Sequence, residues 1–167
     1  DDVLEFTKEL IATDSANPPG DERAVAQLLV DRLRGLGIDD VKAIGPEDER
    51  PSVLASVEGD KPGASLILSG HIDTKPAGDL TAWKTDPWDP VTSEGKLYGL
   101  GSGDMKAAVA AMTYAAAGLK KAGLPAGTLK LVFTADEEAG SVKGSKWLAE
   151  QGLLEGDAAI IGEPSGV

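Results

Sequence analysis

Hydrophobic positions along this chain change their spacing several times, and each change marks an element. Val3, Leu4, Phe6, Leu10 and Ile11 recur at helical spacing, which predicts a helix over residues 3–13. Asn17-Pro18-Pro19-Gly20 breaks it. Asp21 is placed to cap a second helix whose apolar side carries Val25, Leu28, Leu29, Leu33 and Leu36, closed by Gly37. Val41–Ile44 reads as a short strand and residues 47–51 as a charged loop. The apolar runs 53–57 and 66–68 read as strands, and the Gly-Asp-Lys-Pro-Gly between them predicts a hairpin.

Residues 75–90, rich in Pro, Asp and Trp, read as an ordered loop that Trp83 and Trp88 pack down. Residues 91–98, with Ser93-Glu94-Gly95-Lys96 at their centre, read as a small hairpin. Ala107–Ala122 is an alanine-rich helix ended by Gly123. A strand over 129–134, a helix over 145–151 and a strand over Ala158–Ile161 follow. Strands alternating with helices predict an α/β fold: a mostly parallel twisted sheet flanked by helices, with the small hairpin as an antiparallel element. There is no internal repeat and no low-complexity linker.

Composition narrows the picture. The 167 residues suffice for one domain with a real core, and 41% of them are hydrophobic. Sixteen basic against 28 acidic residues give a net charge of −12, which argues against a nucleic-acid or anionic-membrane partner. The chain has no cysteine, hence neither disulfides nor thiolate chemistry. No apolar stretch approaches membrane-spanning length. The sequence begins at Asp1 without methionine, so a missing signal peptide carries no weight, and a cytoplasmic location is the default expectation.

The candidate chemistry lies where apolar runs end. Leu66-Ile67-Leu68-Ser69-Gly70 ends in the only histidine, His71, followed by Asp73. Neutral imidazole is a ligand for zinc-class ions, and a carboxylate two residues on can ligate or fix the ring. Leu131-Val132-Phe133-Thr134 runs into Asp136-Glu137-Glu138, and Ile160-Ile161 runs into Glu163. Three adjacent carboxylates suit a solvated loop, or, at the end of a buried strand, a site where a cation or raised pKa relieves them. Asp104 follows the glycine-rich Gly99-Leu100-Gly101-Ser102-Gly103, where a helix begins. An N-cap is the plain reading of Asp104. The glycine spacing is not that of a phosphate loop, and an aspartate there would repel phosphate. In open α/β sheets ligands bind outside the carboxyl ends of the strands, where these signals converge. One histidine with several carboxylates suits zinc, manganese or cobalt, and two metals sharing a carboxylate would suit hydrolysis.

At these residues the chain resembles the M20 metallopeptidase family, which includes deacetylases, desuccinylases, aminoacylases and carboxypeptidases. The resemblance rests on Ser69-Gly-His-Ile-Asp-Thr74, residues 97–106, Thr134-Ala-Asp-Glu-Glu-Ala-Gly140 and Ile161-Gly-Glu-Pro-Ser165, in that order. Leu100 and Ala107 depart from it, standing where relatives carry arginine and commonly glycine. The resemblance implies a zinc-exopeptidase-like catalytic domain with two zinc ions, for which cobalt or manganese can substitute. It implies that His71 and Glu163 bind one zinc, Asp104 bridges both and Glu138 binds the second. Asp73 would orient His71, and Glu137 would be the general base. Neighbouring residues at a strand end point in different directions, so Glu137 and Glu138 can divide these tasks. The substrate would be an N-acyl amino acid or short peptide.

Relatives carry a second-site histidine late in the chain and another in a lid domain. This chain has neither, so residues 1–167 are expected to be the N-terminal portion of the catalytic domain. The lid or dimerisation domain, through which a full-length parent would form a homodimer, and the C-terminal part of the catalytic domain would be absent. Two other classes compete. One is a non-catalytic module that keeps the fold and one metal. The other is a Ca²⁺-binding protein, since oxygen ligands dominate, though His71 argues against it.

Overall fold

Leu129, Leu131 and Phe133 join one buried cluster and Val132 joins another, so a single strand separates two layers of side chains. That strand is central to the computed structural model of the protein, which describes residues 2–165. The chain runs through α1 (Asp2–Ala12), α2 (Arg23–Gly35), β1 (Val41–Ile44), β2 (Ser52–Glu58), β3 (Ser65–His71), β4 (Val91–Ser93) and β5 (Lys96–Tyr98). It continues through α3 (Ala107–Ala122), β6 (Thr128–Thr134), α4 (Ser145–Glu150) and β7 (Ala158–Ile161). Five strands form one sheet in the order β1-β2-β6-β3-β7, and β4 pairs with β5 as a separate hairpin. Four of the five share a direction; β2 alone opposes them.

Helices α1, α2 and α3 cover one face through Phe6, Leu10, Leu29, Leu33, Val109 and Ala116. Helix α4 covers part of the other, where Leu148 packs with Ile67 and Val132. Phe6 and Phe133 are fully buried, and burial of each such side chain is worth about 1.5–3 kcal/mol.

The predicted hairpin between β2 and β3 does not form. Strand β6 lies between them, antiparallel to β2 and parallel to β3. The Gly59–Gly63 connection pairs instead with the loop before β6: Gly59 N–H donates to Gly127 O at 2.8 Å, and Gly127 N–H to Lys61 O at 2.9 Å. A side chain at Gly59 would stand 2.7 Å from the backbone of Ala126, so glycine is what lets these loops touch.

Two helix starts also differ from expectation. Glu22, not Asp21, is the residue before α2, and it lies buried. Asp21 holds the first turn from outside, accepting from the Arg23 N–H at 3.2 Å. Asp104 does not cap α3. It sits in extended backbone inside a kinked turn over Ser102–Lys106, and the helix begins after Lys106. The strand reading of Ala158–Ile161 holds, but its buried character does not. Among the described residues β7 is an edge strand that pairs only with β3, and Ile160 and Ile161 are 55% and 65% exposed.

The loop 75–90 is tied by local hydrogen bonds. It contains a 3₁₀ turn at Leu80–Ala82 capped by Asp79, and Trp83 donates its indole N–H to Ala77 O at 2.8 Å.

Candidate metal centre

Register brings the candidate residues to one edge. His71 pairs with Thr134 across β3 and β6, so the segments that follow, Ile72-Asp73 and Ala135 to Glu138, leave the sheet side by side. Ser69 pairs with Ile161, so two residues further on Glu163 arrives level with His71. Asp104 comes from the turn before α3, which is bolted down at two points. Met105 is fully buried under Gly70, where a side chain would stand 2.6 Å from the Met105 methyl. Lys106 reaches back to α1 and donates to Leu10 O at 2.7 Å and Thr13 O at 2.8 Å. Burial lowers the Lys106 ammonium to about 8, while Asp14 and Asp73 pull it back up.

Carboxylates surround the buried His71 ring. Its Nε2 lies 2.9 Å from Asp104 Oδ1, 3.5 Å from Glu163 Oε1 and 3.9 Å from Glu137 Oε2. Donor atoms of His71, Asp104 and Glu138 lie within 4.8 Å of one another, as do those of His71, Glu137 and Glu163. All five residues singled out from the sequence as ligands or base therefore meet at one place. Burial by itself would lower the imidazole's affinity for a proton. Hydrogen bonds to Asp73 and Asp104 and the charge of Glu163 outweigh it, and the ring is raised to about 9. Glu163 is raised, first by burial; His71 pulls it down, and Asp104, Glu137 and Glu138 push it up.

The donor set fits zinc-class ions. Tetrahedral bonds of roughly 2.0–2.1 Å place ligand atoms about 3.3 Å apart, close to the 3.5 Å between His71 Nε2 and Glu163 Oε1. Lys75 lies 3.0 Å from Glu138 Oε2 and also donates to the Glu138 carbonyl.

Asp73 meets the other ring nitrogen of His71, mainly through its backbone. The His71 Nδ1 contact at 2.8 Å goes to the Asp73 carbonyl oxygen, and the nearer carboxylate oxygen is 3.5 Å away. That carboxylate accepts the backbone N–H groups of Glu137 at 3.1 Å and Glu138 at 3.0 Å, and the Asn17 amide at 2.9 Å. Burial opposes its ionisation, but the neighbouring His71 ring and the hydrogen bonds from Asn17 and the Glu138 N–H hold it below the ordinary carboxylate range.

Sequence reasoning missed the groups beneath this arrangement. Asn17 was visible only as part of a helix breaker and Arg50 only as part of a charged loop. Both are buried, as are Glu22 and Asp136. Arg50 pairs with Glu22 at 2.9 Å and lies 3.8 Å from Asp136. The one available signal was Gly20 in Asn-Pro-Pro-Gly: at φ +81° it lies where a side chain would overlap the Arg50 guanidinium.

Comparison with known proteins shows the family and the fold. The sequence model for peptidase family M20/M25/M40 matches residues 67–167. The chain is 38% identical to a succinyl-diaminopimelate desuccinylase of Leptothrix cholodnii, over 99% of this chain and 44% of that one. It is 39% identical to the enzyme of the same name from Xanthomonas euvesicatoria, over 98% and 43%. It thus spans less than half the length of these relatives. Among solved structures, an M20 family metallo-carboxypeptidase from Sulfolobus solfataricus superposes with a TM-score of 0.82 at 24% identity, over 97% of this chain and 37% of that one. Human carnosine dipeptidase 1 superposes with a TM-score of 0.75 at 25% identity, over 95% and 37%.

Proposed function

Because this chain belongs to peptidase family M20/M25/M40, we propose that it is the N-terminal portion of the catalytic domain of a metal-dependent amidohydrolase. The substrates are N-acyl amino acids or short peptides. The observation that carries this reading is the convergence of His71 Nε2 with Asp104, Glu137, Glu138 and Glu163 at the carboxyl edge of the sheet. In this assignment His71 and Glu163 would hold one ion, Glu138 would serve a second, and Asp104 would serve both. Zinc is the expected metal, with cobalt or manganese able to replace it. Bound there, divalent ions supply Lewis-acid polarisation of the scissile carbonyl and make an attacking water acidic.

The chain's own residues supply the rest. Glu137 takes the proton of the attacking water and hands it to the departing amine. Asp73 fixes both the His71 ring and the peptide groups of Glu137 and Glu138. A second imidazole for the Glu138 ion and an oxyanion donor come from outside these 167 residues, so the isolated chain holds metal but turns over little. The lid or dimerisation domain and the C-terminal part of the catalytic domain complete the enzyme, which is a homodimer through the lid.

Glu137→Gln in the complete enzyme tests the assignment. With N-succinyl-diaminopimelate and N-acetyl amino acids as first substrates, kcat should fall about a hundredfold to ten-thousandfold. Metal content should stay that of the unaltered enzyme. Near-normal turnover by Glu137→Gln would remove Glu137 from the base role.

A further inference from the structure

The strap from Ser15 to Asn17 runs alongside the segment that leaves β3. Ser15 Oγ donates to Ile72 O at 2.8 Å, Thr74 N–H donates to Ser15 O at 3.1 Å, and Asn17 N–H donates to Thr74 O at 2.8 Å. On its other side that segment meets the acidic loop, whose Glu137 and Glu138 N–H groups bond the Asp73 carboxylate. The side chain of Asn17 reaches across this layer. Its amide nitrogen donates to Asp73 Oδ2 at 2.9 Å and to Asp136 Oδ1 at 3.2 Å.

Both acceptors are carboxylates, which fixes the amide orientation: an oxygen turned toward them would be repelled. The Asn17 oxygen has no hydrogen-bond partner among the described residues, so the side chain keeps both donations at the expense of an unpartnered buried acceptor. Asp136 is held in turn. It sits at φ 59°, a conformation unusual outside glycine, and its other oxygen accepts the Lys143 N–H at 2.9 Å. Arg50 lies behind both groups, 3.8 Å from Asp136 and donating to Pro19 O at 2.7 Å.

We propose that Asn17 is a positioning residue for the metal centre. By clamping Asp73 to Asp136 it sets the direction of the His71 ring on one side and of the Glu137 and Glu138 side chains on the other. Asn17 touches neither metal nor substrate and acts through these two carboxylates. The inference rests on the ligand assignment proposed above.

Cobalt(II) titration of the purified chain, followed by visible absorption, tests it. Asn17→Ala should weaken cobalt binding by about tenfold to a hundredfold and change the cobalt d–d bands, with circular dichroism unchanged. Thr113→Val is the control. It removes a buried hydrogen bond that touches none of these carboxylates, Thr113 Oγ1 to Val109 O at 2.9 Å within α3, and should leave affinity within about twofold and the bands unaltered. Should Asn17→Ala fail to fold, Asn17→Ser, which keeps one polar donor on a shorter side chain, takes its place with a loss at the smaller end of that range.

A folded Asn17 variant with unchanged affinity and spectrum overturns the proposal. So does an affinity loss matched by Thr113→Val, since that would be a stability effect alone. His71→Ala separates this failure from failure of the ligand assignment. If His71→Ala binds cobalt as the unaltered chain does, the assignment itself falls. If it loses cobalt while Asn17→Ala does not, only the positioning role falls.

Discussion

A charged residue in a polar stretch of sequence need not face water, and Arg50 is the case in point. It lies among Glu47, Asp48 and Glu49, which makes the segment look like a solvated loop, yet only 8% of Arg50 is exposed and Glu22 is fully buried. No periodicity betrays such a pair, because its partners are 28 positions apart and meet only in the folded chain. His71, Asp104, Glu137, Glu138 and Glu163 were legible for the opposite reason: each follows an apolar run or a glycine turn, and strand ends converge by topology. Arg50→Met should leave the Glu22 charge buried without its partner and reduce unfolding free energy by about 3–5 kcal/mol in urea titrations. The Glu22 carboxyl also predicts a pH dependence. Burial raises it from an ordinary value of 4.5, Arg50 opposes that, and Asp73 adds to it. Above 4.5 the folded state therefore holds this proton longer than the unfolded state does. Its contribution is full below that value and is lost as pH rises through the folded pKa. Relative to Glu22→Gln, the unaltered chain should lose stability as pH rises through that window; a constant difference between the two would show that Glu22 is not raised.

Most element boundaries could be read from period and punctuation, and the order of strands could not. Helix α3 and strands β1 and β7 fall where the sequence places them. So does the β4–β5 hairpin, whose Glu94-Gly95 turn takes positive φ at both residues. The error concerned β2 and β3, where a five-residue glycine and proline connection has the chemistry of a hairpin but spans a missing neighbour. What decides the matter is a long-range fit: the Gly59–Gly63 loop packs on the backbone of Ala126 and Gly127, leaving room for β6 between the strands. Gly127 concentrates that fit, with φ +81° and Ala64 O 2.2 Å from where a side chain would begin. Gly127→Ala should cost about 2 kcal/mol or more, from backbone strain plus displacement of the neighbouring loop. Urea unfolding is the measurement, and an alanine variant as stable as the parent would mean that this loop contact does not hold the β2-β6-β3 order.

At the scale of the whole molecule, a net charge of −12 is gathered in part at one edge of the sheet. No helix among the described residues is long and apolar enough to cross a membrane. The carboxylates gathered around His71 in the folded state are dispersed in an unfolded chain, so a cation held by them would bind the folded state alone. A ligand that binds only the folded state stabilises it by about 2.7 kcal/mol at a hundred times its dissociation constant. For a chain of this size each kcal/mol moves the melting temperature by about 2–4 °C, so saturating zinc or cobalt should raise it by about 5–10 °C. A chelator should reverse the shift. Magnesium should do much less, because an imidazole nitrogen suits zinc-class ions better than a hard cation that demands oxygen ligands. Calcium discriminates further: a shift with calcium equal to that with zinc, surviving in His71→Ala, would mean that the acidic edge is an oxygen-donor site and that the histidine is incidental. Two results are expected: the unaltered chain shows the zinc shift, and His71→Ala, whose metal-free form is itself less stable because a buried, hydrogen-bonded ring is lost, shows none relative to its own melting temperature in chelator. Together they would tie the stabilising ion to this imidazole and to no other part of the acidic surface.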